Sequence, residues 1–365
     1  MSSITTTCLP GLNPAPNAPA RSLATQSASR EARYGYLDVI RGIASLAVVI
    51  QHGYERYPLF NETTRTVFNF GRAGVVAFFL VSGFVIPFSL ERSGSLKRFW
   101  IGRLFRLFPL YWASLVTVLL MFWCGMVNAP PRFGMTAALL NVTMFQQFLG
   151  SPHAIGAYWT LGLELIFYMM LSALFIAGLN QRSLTWAWIT VAFAFLSEVL
   201  LPLMLRHGIA FAPVELISVA MLGTLAYRCT TGSVGIRAVL AVYGAAAAVL
   251  GIGAYVHCNL YRKADDNLSV LCTFSSLLLG CALFFALLAA RRCQFPAPLL
   301  WLGRVSYSVY LTHPLVSGVL VYLAVPSVAF MPLAIAVTLG LSEMTYRYIE
   351  LPAMQFGKKV AAWAQ

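Results

Sequence analysis

Charge is scarce in this sequence, and acid is scarcest: its 365 residues hold 12 Asp and Glu against 25 Lys and Arg, so only 10% are charged. A chain that is also 59% hydrophobic, with a mean hydropathy of +0.75, lies outside the composition of soluble domains. No two of its seven cysteines form a CxxC pair; most lie in or beside apolar runs and read as small hydrophobes, and no metal site is expected. Residues 1–33 contain no apolar run long enough for a signal peptide, and their Ser, Thr, Ala and Pro predict a disordered cytoplasmic tail. No soluble domain fits between the apolar runs. The longest outer loop, 128–157, is too short for a core, and its FGMTAALLNVTMFQQFLG predicts an interfacial or re-entrant helix. Asn61 in NET and Asn141 in NVT match the glycosylation triplet, a pattern common by chance.

What the sequence has in abundance is apolar runs of about 17 to 25 residues, the length that crosses ~30 Å of hydrocarbon as helix. Ten are expected, at 37–54, 72–90, 108–127, 158–178, 184–205, 211–228, 235–256, 268–290, 299–321 and 328–348. The fold class is therefore an all-α polytopic membrane protein of about ten transmembrane helices. With the N-terminus inside, 17 basic residues fall in inner segments and 7 in outer ones, which predicts that both termini are cytoplasmic. The net charge of +13 is then an insertion signal, and nucleic-acid binding is not expected.

Within the first span, RGIASLAVVIQH places Arg41 and His52 eleven steps apart. Eleven steps are three helical turns plus ~20°, so both share one face about 16 Å apart along the axis, and Asp38 lies near the same stripe. Ionisable groups within a span cost roughly 2.5–3.5 kcal/mol each on insertion scales, so they face the bundle interior or a wet cavity. Asp38 and Arg41 also suit an interfacial ion pair, and His52 alone would suit a satisfied histidine near the headgroups. Glu164, in AYWTLGLELIFYMM, and His313, in GRVSYSVYLTHPLV, fall at a depth comparable to His52 on two other spans. Three titratable groups at one depth predict a reaction centre, the alternative being interhelical hydrogen bonds around Pro314. In LKRFWIGRLFRLFPLYW, Arg103 and Arg106 stand i,i+3 behind Lys97 and Arg98. Positive-inside insertion accounts for a basic loop, whereas a paired guanidinium face also suits bidentate phosphate recognition.

LDVIRGIASLAVVIQH resembles the first helix of acyltransferase family 3, the ten-helix bacterial membrane acyltransferases. The likeness continues in order through GVVAFFLVSGFVI (74–86, with Ser82), RLFRLFPLYW (103–112), YWTLGLELIFY (158–168, with Trp159), SYSVYLTHPLV (306–316) and YRYIELP (346–352). The resemblance implies one transmembrane domain over 34–356, followed by a short cytoplasmic tail, 357–365. It implies an enzyme that takes an acyl group, most often acetyl, from acyl-CoA at the cytoplasmic side and delivers it to a hydroxyl of a carbohydrate, glycolipid or envelope glycan. The place would be the bacterial inner membrane. By the same resemblance His52, Glu164 and His313 are the catalytic set, Arg41, Arg103 and Arg106 hold the cofactor phosphates, and Asp38, Ser82 and Trp159 support them. Some members carry an extra hydrolase-like domain; none is expected within these 365 residues.

Coenzyme A combines polyanionic phosphates with a long, nearly uncharged pantetheine arm. The small residues Gly42, Ala44 and Ser45 suggest a route for that arm along the first helix, with Val48 on the opposite, lipid-facing side. A neutral imidazole there would take the proton of an attacking hydroxyl, or would itself carry the acyl group. A proton-coupled transporter or glycan exporter is the alternative for a bundle with charges in its spans. The Arg-x-x-Arg loop and the lack of a visible inverted repeat argue against it.

Overall fold

In hydrocarbon a backbone must satisfy its own hydrogen bonds, and apolar runs of spanning length do so as helix. The computed structural model describes residues 23–208, 211–261 and 268–363, and no strand occurs among them. Residues 1–22, most of the tail expected over 1–33, lie outside the described residues. In chain order the helices are α1 (Leu23–Tyr54), α2 (Pro58–Thr66), α3 (Phe70–Ser93), α4 (Leu96–Trp123), α5 (Met135–Asn141), α6 (Trp159–Ile176), α7 (Ser183–Phe195), α8 (Leu201–Leu205), α9 (Phe211–Thr230), α10 (Ile236–Tyr255), α11 (Val270–Ala289), α12 (Ala297–Arg304), α13 (Ser306–Tyr322), α14 (Ser327–Thr345) and α15 (Leu351–Trp363). Single π-helical turns join α7 to α8, extend α10 and join α14 to α15.

Nine helices among the described residues are long and apolar enough to cross a membrane. They correspond to nine of the ten expected runs. The tenth, 299–321, breaks at Val305 into α12 and α13, which leaves α13 with 17 residues, about 26 Å of rise. Ser306 to His313 are buried without interruption, so α13 is sheathed by protein, where its polar Ser308, Thr312 and His313 are tolerated. The last helix is longer than expected. Ser327–Trp363 runs continuously for 37 residues and absorbs most of the tail expected at 357–365, leaving only 364–365 outside the described residues.

Helix α3 is central, packed by α1, α9 and α11. Its crossing with α9 depends on glycine: a Cβ on Gly83 would meet the Ala220 carbonyl oxygen at 1.8 Å, and one on Gly223 would meet that of Leu80 at 2.2 Å. Small residues permit such close approach, which matters because lipid tails are as apolar as the helix surfaces and only packing distinguishes a partner. The small residues of α1 serve the same purpose. A Cβ on Gly42 would lie 2.8 Å from the Gly303 amide nitrogen of α12, Gly74 of α3 abuts the Ala44 carbonyl, and Ser45 is buried with its hydroxyl donating to Gly42 O at 2.8 Å. The route expected along Gly42, Ala44 and Ser45 is therefore filled by packing. Val48, expected to face lipid, is buried and lines a cavity instead.

Between α4 and α6 the chain folds back through α5. Asn141 is wholly buried there: its side-chain amide donates to Ala137 O (2.8 Å) and Pro152 O (2.9 Å), and its carbonyl accepts from the Ala154 amide (3.0 Å). Tyr111 on α4 donates to the Asn141 backbone carbonyl at 2.5 Å. That rules out the glycosylation reading of Asn141 and makes the residue a loop anchor. Asn141→Ala should destabilise the fold by about 1–3 kcal/mol, because buried partners lose their bonds. A detergent thermal-unfolding comparison checks this; an unshifted midpoint would contradict it.

Candidate active site

Two large cavities open among the described residues of the bundle. The first, of about 500 Å³, lies among α1, α3, α4, α6 and α13, and its charged lining is Arg41, Arg92, Arg103 and Arg106 against one carboxylate, Glu164. Arg103 and Arg106 stand one turn apart on α4. The Arg103 guanidinium lies over the rings of Phe99 and Tyr168, 5.4 and 5.5 Å from their centroids, which fixes the planar group by cation–π contact. Arg41 pairs loosely with Asp38 at 3.9 Å, one turn earlier on α1. Glu164 accepts hydrogen bonds from Ser82 (3.1 Å) and from the Tyr168 hydroxyl, so its carboxylate is held by α3 and by its own helix. Behind this cavity Glu350, 1% exposed, accepts from Ser308 at 3.0 Å. Its other oxygen has no hydrogen-bond partner, and its charge neighbours are Arg106 and Arg41.

The second cavity, of about 440 Å³, is lined by His52, His313, Glu55, Gln51, Arg72, Glu215 and Trp159 among others. The imidazoles of His52 and His313 stack with centroids 5.4 Å apart and planes inclined by 15°. Nδ1 of His52 lies 3.2 Å from the Glu55 carboxylate, and Nδ1 of His313 lies 3.2 Å from the Val309 carbonyl. Both partners accept only, so each Nδ1 carries the hydrogen and each Nε2 presents a lone pair when its ring is neutral. Nε2 of His313 is buried without a partner. Burial would push the Glu55 carboxyl up, but the hydrogen bond from His52, with help from the Gln51 amide, outweighs it and holds the group below the usual carboxylate range. A carboxylate orienting an imidazole whose far nitrogen is bare is the arrangement a general base requires.

One wall separates the cavities. Val75 of α3 and Tyr310 of α13 line both. The Tyr310 hydroxyl lies 2.7 Å from Thr160 Oγ1 and donates to Ala157 O at 3.0 Å, pinning the ring to the start of α6, while Phe78 meets it edge-on.

Of the residues singled out from sequence, Arg41, Arg103, Arg106, Ser82 and Glu164 meet in the first cavity, with Asp38 beside Arg41. His52, His313 and Trp159 meet in the second. Glu164 is thus separated from the histidines it was expected to join, because its helix turns that face toward Ser82 and the arginines. Glu55, Gln51, Arg72, Tyr310 and Glu350 were missed. The i,i+3 step from His52 to Glu55 was visible in QHGYE, and Glu350 sits in the YIELP string. Nothing in the sequence pointed to Arg72 or Glu215.

The fold and site define a polytopic helical membrane protein with a guanidinium-lined and an imidazole-lined cavity sharing one wall. The family model described as an acyltransferase domain matches residues 34–347, and the chain belongs to that family, acyltransferase family 3. It is similar to peptidoglycan O-acetyltransferase OatA of Listeria monocytogenes serovar 1/2a, at 26% identity over 385 residues that take in 90% of this chain and 58% of that one. It is similar also to nodulation protein 10 of Rhizobium leguminosarum bv. viciae, at 29% identity over 157 residues, 38% of this chain and 43% of the other. The chain spans about half the length of these curated relatives. No solved structure matches it.

Proposed function

We propose that this protein is a membrane O-acyltransferase that moves an acyl group, acetyl in the first instance, from acyl-CoA held in the arginine cavity at the cytoplasmic side to a hydroxyl of a carbohydrate or envelope-glycan acceptor in the histidine cavity. The observation that carries this reading is the pair of cavities of contrasting charge that meet at Val75 and Tyr310. Four guanidiniums against one carboxylate suit a polyanion, and Arg103 and Arg106 supply the fork geometry that phosphates favour. The family, and a relative named as a peptidoglycan O-acetyltransferase, support the chemistry. The excess of basic residues in inner segments supports cytoplasmic termini in the bacterial inner membrane.

In this reading the thioester carbonyl reaches the shared wall. An imidazole Nε2, His52 oriented by Glu55 being the first choice, takes the acceptor's hydroxyl proton as its oxygen attacks the carbonyl carbon. The carbon–sulfur bond then breaks, and the imidazolium returns that proton to the departing thiolate, which restores the neutral ring and leaves the coenzyme as its thiol. Glu164, with Ser82 and Tyr168, sets the charge balance among the arginines. Glu350 does so from behind Arg41 and Arg106.

The wall supplies the test. Val75→Trp should lower transfer by about 100-fold by keeping the reacting atoms apart, while acetyl-CoA binding to detergent-purified protein stays near the wild-type affinity. Transfer at the wild-type rate would remove the route past Val75, and absence of acetyl-CoA binding by the wild type would remove the donor assignment.

A further inference from the structure

The two cavities differ in their unpaired polar atoms as well as in charge. The histidine cavity contains one fixed cation, Arg72, and two carboxylates, Glu55 and Glu215. Arg72 is bound to Glu215 through Nη2, and the ring of Phe211 lies 5.8 Å from its guanidinium carbon. Asn69 holds the same region by accepting from the Arg72 backbone amide at 2.8 Å. An anion entering here would meet a guanidinium already neutralised and a second carboxylate beyond it. Three atoms in this lining nonetheless have no partner: Gln51 Oε1, on a side chain that is 2% exposed, Arg72 Nε, and His313 Nε2. One accepts, one donates, and the third accepts while His313 is neutral. Leaving such groups unpaired is costly, so they point to a ligand that carries both donors and acceptors. Trp159 adds an aromatic side chain to the lining.

We propose that the histidine cavity is the acceptor's recognition site and that it selects a hydroxyl-rich ring bearing no negative charge on the reacting unit. Gln51 Oε1 accepts from one hydroxyl, and Arg72 Nε–H donates to another oxygen of the ring. Glu215 enforces the selection by neutralising Arg72. This rests on the acyltransferase reading above and adds which acceptors it admits and which residues choose them.

Two acceptors test the charge: p-nitrophenyl β-glucoside and p-nitrophenyl β-glucuronide share the ring hydroxyls at C2, C3 and C4 and differ at C6, a hydroxymethyl against a carboxylate, so transfer is compared at the shared ring hydroxyls only. With the full chain in detergent and acetyl-CoA as donor, kcat/KM for the glucoside should exceed that for the glucuronide by about tenfold or more. Glu215→Gln releases the Arg72 guanidinium, so the ratio should fall by about tenfold, through a gain on the glucuronide, while acetyl-CoA affinity is unchanged. Loss of fold would lower both acceptors and donor binding together. Should Glu215→Gln fail to fold, the paired change Arg72→Gln with Glu215→Gln removes both charges and should keep the glucoside preferred. Gln51→Leu should raise KM for the glucoside by about fivefold with a smaller effect on kcat. A wild-type preference for the glucuronide would overturn the proposal. So would an unmoved ratio in a Glu215→Gln protein that binds donor normally, or no transfer to the glucoside from a protein that binds acetyl-CoA. A protein that binds no acetyl-CoA at all would instead fail the acyltransferase reading beneath it.

Discussion

His52→Ala is expected to lower acyl transfer by about 10²–10⁴-fold, the contribution of a positioned acid–base group, while leaving a folded, inserted protein that binds acetyl-CoA in the arginine cavity. The His52 side chain is 48% exposed within its cavity, and its polar contact is to Glu55 in the turn just after the same helix, so its removal leaves no buried hole. His313 differs. It is 2% exposed and tied to Val309, so alanine there would both remove a base-competent nitrogen and open a cavity in α13. For that reason the His52 variant separates chemistry from packing. The measurement is transfer at matched expression beside acetyl-CoA binding; activity within a few-fold of wild type would take His52 out of the mechanism and leave His313 as the base.

Arg103→Lys combined with Arg106→Lys should weaken acetyl-CoA binding by about 10–100-fold without altering membrane topology. Lysine keeps the positive charge that governs insertion but loses the planar fork, and at Arg103 it also loses the stacking over Phe99 and Tyr168. An exposed basic loop serving insertion alone would not notice the exchange. Both arginines line the cavity instead, with the Glu164 carboxylate in the same lining. Donor affinity read by isothermal titration, with cysteine accessibility as the topology control, decides the matter: unchanged affinity would return the pair to an insertion signal.

Much of the site was legible because its pieces are local. The i,i+3 arginines of α4 and the eleven-residue step from Arg41 to His52 follow from helical geometry alone, and the structure places these residues at cavity walls. The run 299–321 misled because apolar residues on both sides of Gly303 and Arg304 keep the whole stretch at spanning length, although that pair marks the break between α12 and α13. The small residues of α1 misled for a related reason. A stripe of Gly, Ala and Ser reads equally as a channel wall or as a packing face, and contact with Gly303 and Gly74 makes it the latter.

By itself the sequence determined that this chain spans a membrane as helices, where most of those helices lie, and which ionisable residues stand inside them, since each of these depends on apolar length and helical period within one segment. Only the tertiary structure decided which of those residues meet. Glu164 turns to Ser82, Tyr168 and the arginines, while His52 stacks on His313 from another helix beside Glu55, and Arg72 finds Glu215 across 143 residues. The physical reason is that the rotation of a transmembrane helix about its own axis is not set by hydrophobicity, because lipid and protein interior are both apolar. It is set by close packing at positions such as Gly83 against Ala220, which no single segment encodes.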